Sequence, residues 1–309
     1  MILNTGSRTD IPAYYSGWFY NRINEGYVLT RNPFNPNLVL KYELNPQIID
    51  ILSFCTKNPK PMLNRLNELD LYRQFWFITL TPYGKDIEPN VPNKLDVLDS
   101  IKELSNIIGY KNVSLRYDPI FINDKYSMNY HIRAFNKILS ELEGKINFCV
   151  ISFIDLYEKT KRNFPEVKEV SVIEQEYLTE QFVQIAKKYN IEIHTCCENS
   201  SLARLGVNVS GCMTKEIFET VFNERLIIPN SKKSVRDGCD CLLGSDIGMY
   251  NTCLHGCKYC YANYDMNLVK QNYLRHNPNS PLLIGELKKE DIIIQAKHES
   301  YISNQLTLF

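Results

Sequence analysis

The sequence has no excess of either charge: Lys plus Arg and Asp plus Glu each number 35 among 309 residues. No global field therefore draws the chain to nucleic acid or to an anionic membrane, although local basic patches remain open. No apolar run reaches bilayer length, and residues 1–10 lack the basic start and apolar stretch of an export leader. A cytoplasmic location without membrane contact is expected. Internal repeats and low-complexity tracts are missing too. What remains is a chain with 44% apolar residues, enough for a sizeable packed core without outside staples.

Cysteine, by contrast, is plentiful, with ten residues. In a small exported protein that number suggests disulfides. In a large chain without a leader it points to metal ligands or buried thiols.

The first two thirds alternate short apolar runs with longer amphipathic stretches. The runs 51–56, 75–80, 113–117, 148–153 and 191–196 read as buried strands. Helical patterns cover 95–108, 130–142 and 174–189, with Gly144 and Asn190 as stop signals after the last two. This order predicts an α/β fold with a parallel sheet: a TIM-like β/α barrel, complete or partial, over 1–235. Polar residues follow the strands: Lys57-Asn-Pro59, Thr79, Thr81-Pro82, Arg116-Tyr-Asp-Pro119, Asp155 and Glu198. Any single Asn-Pro or Asp-Pro is ordinary turn punctuation. Five such strand ends together indicate a lined pocket, with Arg8, Asp10, Lys57, Arg116, Asp118 and Glu198 as candidate catalytic or binding groups. Each of these charges is equally suited to an internal salt bridge.

After residue 200 the alternation fades into a polar connector and a cysteine-rich segment, 236–264, expected to pack on the barrel mouth. An extension, 265–309, should wrap the surface. Within the segment stands Tyr250-Asn-Thr-Cys253-Leu-His-Gly-Cys257-Lys-Tyr-Cys260. Cys253, Cys257 and Cys260, spaced C-x3-C-x2-C on one loop, can converge on one iron–sulfur cubane, and Gly256 permits the tight turn. Three protein ligands leave a fourth iron open for a substrate or cofactor. A structural zinc site completed by His255 or another cysteine is the alternative for the same residues.

This spacing, with Tyr259 at its aromatic position, resembles the signature of the radical SAM superfamily. The resemblance implies a [4Fe–4S] cluster whose open iron binds S-adenosylmethionine, and reductive cleavage of that cofactor to a 5′-deoxyadenosyl radical. It also implies adenine contacts from the backbone near Tyr259 and an electron donor such as flavodoxin or ferredoxin. The whole chain resembles the DUF1848 family, whose C-terminal cysteines look like those of radical SAM enzymes. The matching stretches are Ser7-Arg-Thr-Asp-Ile-Pro12, Thr56-Lys-Asn-Pro59, Thr81-Pro-Tyr-Gly84, Arg116-Tyr-Asp-Pro119, Ser245-Asp-Ile-Gly248 and the cysteine loop. One departure is topological, because most radical SAM barrels carry the motif near the N-terminus.

A second cysteine set comprises Cys196, Cys212, Cys239 and Cys241, with Cys197 as an alternative to Cys196. Cys239 and Cys241 share a face on an extended segment. The four suit a second iron–sulfur cluster or a zinc ion, and scattered buried thiols are the plainer reading. Cys55 and Cys149 fall inside apolar runs and are assigned to the core.

The chain ends Gln305-Leu-Thr-Leu-Phe309, which resembles the short peptide that docks bacterial polymerases and repair proteins on the DNA sliding clamp. Leu306, Leu308 and Phe309 would enter an apolar pocket while Gln305 hydrogen-bonds beside it. Packing of these apolar residues onto the core is the competing reading. The resemblance implies a DNA substrate, and with it a likeness to radical SAM repair enzymes such as spore photoproduct lyase. Lys159, Lys161, Arg162, Lys232, Lys233 and Arg236 are then candidate phosphate contacts. The expected function is a radical SAM-type enzyme. A non-catalytic iron–sulfur or zinc module docked on DNA machinery is the alternative, and a redox sensor is a third.

Overall fold

The run Phe148–Phe153 is buried at all six positions, as a strand covered on both faces must be. Such runs define the architecture. The structure is a computed structural model that describes residues 1–232, 239–242, 244–297 and 299–303. In chain order its strands are β1 (Ile2–Asn4), β2 (Tyr27–Arg31), β3 (Leu38–Glu43), β4 (Ile51–Thr56), β5 (Gln74–Thr79), β6 (Val113–Ile120), β7 (Phe148–Phe153), β8 (Glu192–Thr195), β9 (Ser245–Asp246) and β10 (Ile292–Gln295). Seven form one sheet in the order β8-β7-β6-β5-β4-β1-β9, and every neighbouring pair is parallel. This is an α/β fold.

The five expected strands are β4 to β8, and the three expected helices occupy Lys94–Ile108, Met128–Glu141 and Val172–Lys188. Ser171 caps the last of these in a reciprocal pair with Glu174, the hydrogen-bonding pattern of a capping box. Two of these helices meet the sheet edge-to-face, with Tyr117 of β6 against Phe135 and Phe182, and stacked rings join like elements. Phe135 lies on Phe182 at 4.1 Å, and inside the sheet layer Phe54 lies on Trp76 at 4.0 Å. Each such buried ring is worth about 1.5–3 kcal/mol relative to exposure.

Of the complete or partial barrel expected, the described residues show the parallel sheet without a closed ring. Among the described residues no ladder joins the edge strands β8 and β9. Two short segments occupy the seam between them. Asn208 bridges to His194 of β8, and Thr214 bridges to Cys241, just ahead of β9. Asp240 N–H donates to Ser210 O (2.8 Å) and Leu242 N–H to Met213 O (2.8 Å). The sheet curls enough for Ser53 of β4 to reach Met213 Sδ at 4.0 Å. The free edge of β8 is met by Asn208 and not by β9.

Periodicity does not reveal the three-residue β1, nor the short helix Ile11–Tyr14 that follows it. The extension does more than wrap the surface. β10 joins β3 in parallel, completing a second sheet of order β10-β3-β2. Among the described residues no helix is long and apolar enough to cross a membrane.

Candidate active site

The C-terminal ends of the parallel strands open on a cavity of about 490 Å³. Its walls include Asp10, Lys57, Arg116 and Asp118 together with Cys253, Cys257, Tyr259 and Cys260. Four of the six candidate pocket groups and all three loop cysteines thus face one space, although the loop lies nearly 200 positions after Lys57.

Asp10 caps the helix Ile11–Tyr14 through Ala13 N–H (3.0 Å) and accepts from the Thr56 hydroxyl (2.6 Å) and the Lys57 N–H (2.8 Å). Its remaining capacity goes to His255 Nε2 at 2.8 Å, and His255 Nδ1 meets the Tyr14 hydroxyl at 2.8 Å. Both ring nitrogens of His255 are therefore engaged, and His255 is buried. It is a tether for the loop and has no free nitrogen for a metal.

Further bonds dock the loop. Asn90 N–H donates to His255 O (3.1 Å), the Asn90 amide to Leu254 O (2.7 Å), Lys258 N–H to Ile87 O (3.0 Å) and the Asn263 amide to Cys253 O (2.6 Å). Gly256 takes φ +69, where a Cβ would also press on Pro89 at 3.2 Å, so glycine is needed at this turn.

Beneath the loop lies Glu88, 1% exposed. It accepts from the Thr81 hydroxyl (2.7 Å) and Lys57 Nζ (2.8 Å), and also from Lys94 and the Tyr259 hydroxyl. Burial alone would raise its carboxyl, but the two lysines outweigh burial and hold it at about 2. Lys57 in turn lies 5.5 Å from the centre of the Tyr259 ring. Burial works against its charge, yet Glu88 and Cys257 keep it cationic. Sequence reasoning missed Glu88. The only available signal is its place just after the Thr81-Pro-Tyr-Gly84 turn.

Burial raises all three loop thiols, Cys257 to about 12, with each sulfur also felt by a neighbour in the set or by Lys57. Such thiols ionise only when a cation compensates them. Among the described residues two buried polar atoms of wall residues, Asn4 Oδ1 and Thr9 Oγ1, have no hydrogen-bond partner. The donor set and the wall thus fit a thiolate-bound cluster with a polar organic ligand next to it.

Arg116 pairs with Asp118 (2.6 Å) and donates to Cys212 Sγ (3.2 Å). Glu198 stands behind the wall, accepting from the Ser152 hydroxyl (2.7 Å) and Phe153 N–H (2.8 Å), and burial raises it to about 7. Arg8 is not part of the wall. It is bound to Asp246 of β9 at 2.8 Å. Cys149 is buried in the core as expected, whereas Cys55 corrects its assignment: it is half-buried on the cavity wall. In the second set, Cys212 touches both Cys196 (3.8 Å) and Cys241 (3.9 Å), and Cys239 is half-buried two residues before Cys241.

Lys159 is spent on the loop, donating to Tyr261 O (3.1 Å) and lying over Tyr250 and Tyr264. Lys161 pairs with Glu158 at 3.1 Å. Gln305, Leu306, Leu308 and Phe309 lie outside the described residues, as do Lys233 and Arg236.

A family model described as a domain of unknown function, DUF1848, matches residues 2–262. No curated protein and no solved structure matches the chain.

Proposed function

The chain belongs to the DUF1848 family, and from that premise and the geometry of its cysteine loop we propose that it is a radical SAM-type enzyme. The observation that carries the reading is the convergence of Cys253, Cys257 and Cys260 on one ligand-sized cavity shared with Asp10, Lys57, Arg116 and Asp118. When bound, a [4Fe–4S] cluster on the three thiolates supplies the one-electron chemistry that cleaves S-adenosylmethionine to the 5′-deoxyadenosyl radical.

The chain's own residues position and shield. Asp10, His255 and Tyr14 form a hydrogen-bonded line that fixes the loop from below. Glu88 holds Lys57 and Tyr259 as one unit against the sulfurs, so that a fixed cation faces the anionic cluster site. Asn4 and Thr9 of the cavity wall each keep a buried polar atom without a partner among the described residues. Arg116 and Asp118 line the cavity as a pair suited to a polar substrate, and Glu198, raised to about 7, can hold a proton near neutral pH. We read the curled sheet and its bridged seam as a partial β/α barrel with this cavity at its mouth.

The engagement of both His255 nitrogens disfavours a zinc centre or a fully ligated cluster completed by that histidine, and one completed by another cysteine is the case that the iron and cofactor measurements below separate from this reading. A role in DNA repair or modification, with recruitment to the sliding clamp, rests on residues 305–309.

Anaerobic reconstitution tests the proposal. Wild type should take up about four irons per chain at the loop and, once reduced, release 5′-deoxyadenosine from S-adenosylmethionine. Cys257→Ala should lose both. Full iron loading without binding or cleavage of the cofactor overturns the reading.

A further inference from the structure

Cys196 directly follows β8, Cys212 lies in the first segment of the seam, and Cys241 lies in the second, four residues ahead of β9. Their sulfurs form a chain, 3.8 Å from Cys196 to Cys212 and 3.9 Å from Cys212 to Cys241. Donors surround that chain. Cys241 Sγ accepts the N–H groups of Cys212 (3.2 Å) and Met213 (3.3 Å), and Arg116 Nη1 donates to Cys212 Sγ (3.2 Å). At Gly211, φ is +127 and a Cβ would stand 2.7 Å from Cys241 Sγ, so the backbone is shaped to pass close to that sulfur.

The spacing decides between kinds of metal. Two sulfurs on one tetrahedral zinc, each bonded at about 2.3 Å, stand about 3.8 Å apart. In a [4Fe–4S] cluster each cysteine binds a different iron and the sulfurs stand much further apart, and in a [2Fe–2S] cluster a sulfur shares its iron with only one other cysteine, whereas Cys212 has two sulfur neighbours at this distance. We propose that Cys196, Cys212 and Cys241, with Cys239 as the fourth ligand, hold a single tetrahedral zinc ion that staples the seam between β8 and β9. Cys239 qualifies by register. Asp240 and Leu242 both turn their N–H groups to the 210–213 segment, the pitch of an extended chain, so the side chains of 239 and 241 share a face. Among the described residues no three metal-ligating side chains already surround one point. Cys212 is central, and binding draws Cys196 and Cys241 in around it. Arg116 offsets part of the negative charge of the thiolate set. The ion joins two edges that no ladder joins among the described residues.

The test uses full-length protein purified without chelator, with zinc and iron measured per chain. The expected result is about one zinc in wild type, retained in Cys253→Ala/Cys257→Ala/Cys260→Ala while that variant loses its iron. Cys212→Ser should lower zinc at least tenfold and leave the loop iron in place. Should Cys212→Ser fail to fold, replacement of zinc by cobalt(II) in unmutated protein decides, since four thiolates give intense charge-transfer bands and a tetrahedral visible spectrum. Absence of zinc from wild type, unchanged zinc in Cys212→Ser, an octahedral cobalt spectrum, or additional iron retained by the loop variant each overturns the proposal. Loss of iron alone leaves it standing and bears only on the loop cluster.

Discussion

Replacing Glu88 by Gln removes the one carboxylate that joins Lys57 and Lys94 beneath the cysteine loop, and the expected loss can be worked from its surroundings. The Glu88 side chain has no solvent exposure and Lys57 has little, so water compensates the loss mainly at the more exposed Lys94. A glutamate held at about 2, against an ordinary value of 4.5, corresponds to about 3 kcal/mol of preferential stabilisation of its ionised form. That matches the 3–5 kcal/mol typical of removing one partner from a buried ion pair. For a chain of this length, 3 kcal/mol lowers the melting temperature by about 5 °C. The carboxyl is depressed in the fold, so its contribution is fully present above the ordinary value and declines as pH falls from about 4.5 towards 2. Melting curves of Glu88→Gln and wild type should therefore differ by about 5 °C at pH 7, with the gap down to about half by pH 3. A gap under 1 °C at pH 7, or one that does not change with pH, refutes the assignment of Glu88 as an ionised hub.

Three further outcomes are expected. His255→Ala leaves Asp10 and Tyr14 without their shared partner, so the reconstituted cluster should be lost to a chelator about 10–100-fold more readily, with partial recovery in His255→Gln; unchanged retention would show that the tether does not matter. Glu198 is raised to about 7, mainly by burial, so its contribution to stability falls as pH climbs from about 4.5 to 7. Glu198→Gln should then be about 1–3 kcal/mol more stable than wild type at pH 8 and no more stable at pH 4, and denaturant titrations giving the same difference at both pH values would contradict the burial argument. Deleting 305–309 should weaken binding to a bacterial sliding clamp at least tenfold in a surface-binding assay without altering iron content, and equal affinity would remove the link to DNA.

What could be read from the chain alone was local. The runs that became β4 and β7 were legible to the residue because continuous apolar stretches closed by polar residues have few other uses, and the cysteine loop was legible as a unit because its three thiols lie within eight positions of one another. The placement of Lys57, Arg116 and Asp118 at a cavity followed from the parallel sheet, whose strand ends all face one side. Tertiary structure alone decided the remainder. Asp10 and His255 are 245 positions apart, Glu88 and Tyr259 are 171 apart, and Cys212 and Cys241 are 29 apart. Such partners share no local pattern. They meet because strand order sets β1 beside both β4 and β9, which brings the first ten residues, the 81–90 turn and the cysteine loop to one rim. Cys55 shows the same limit at a single residue, since an apolar run buried on both faces carries no mark of which position opens on the cavity until the sheet has curled.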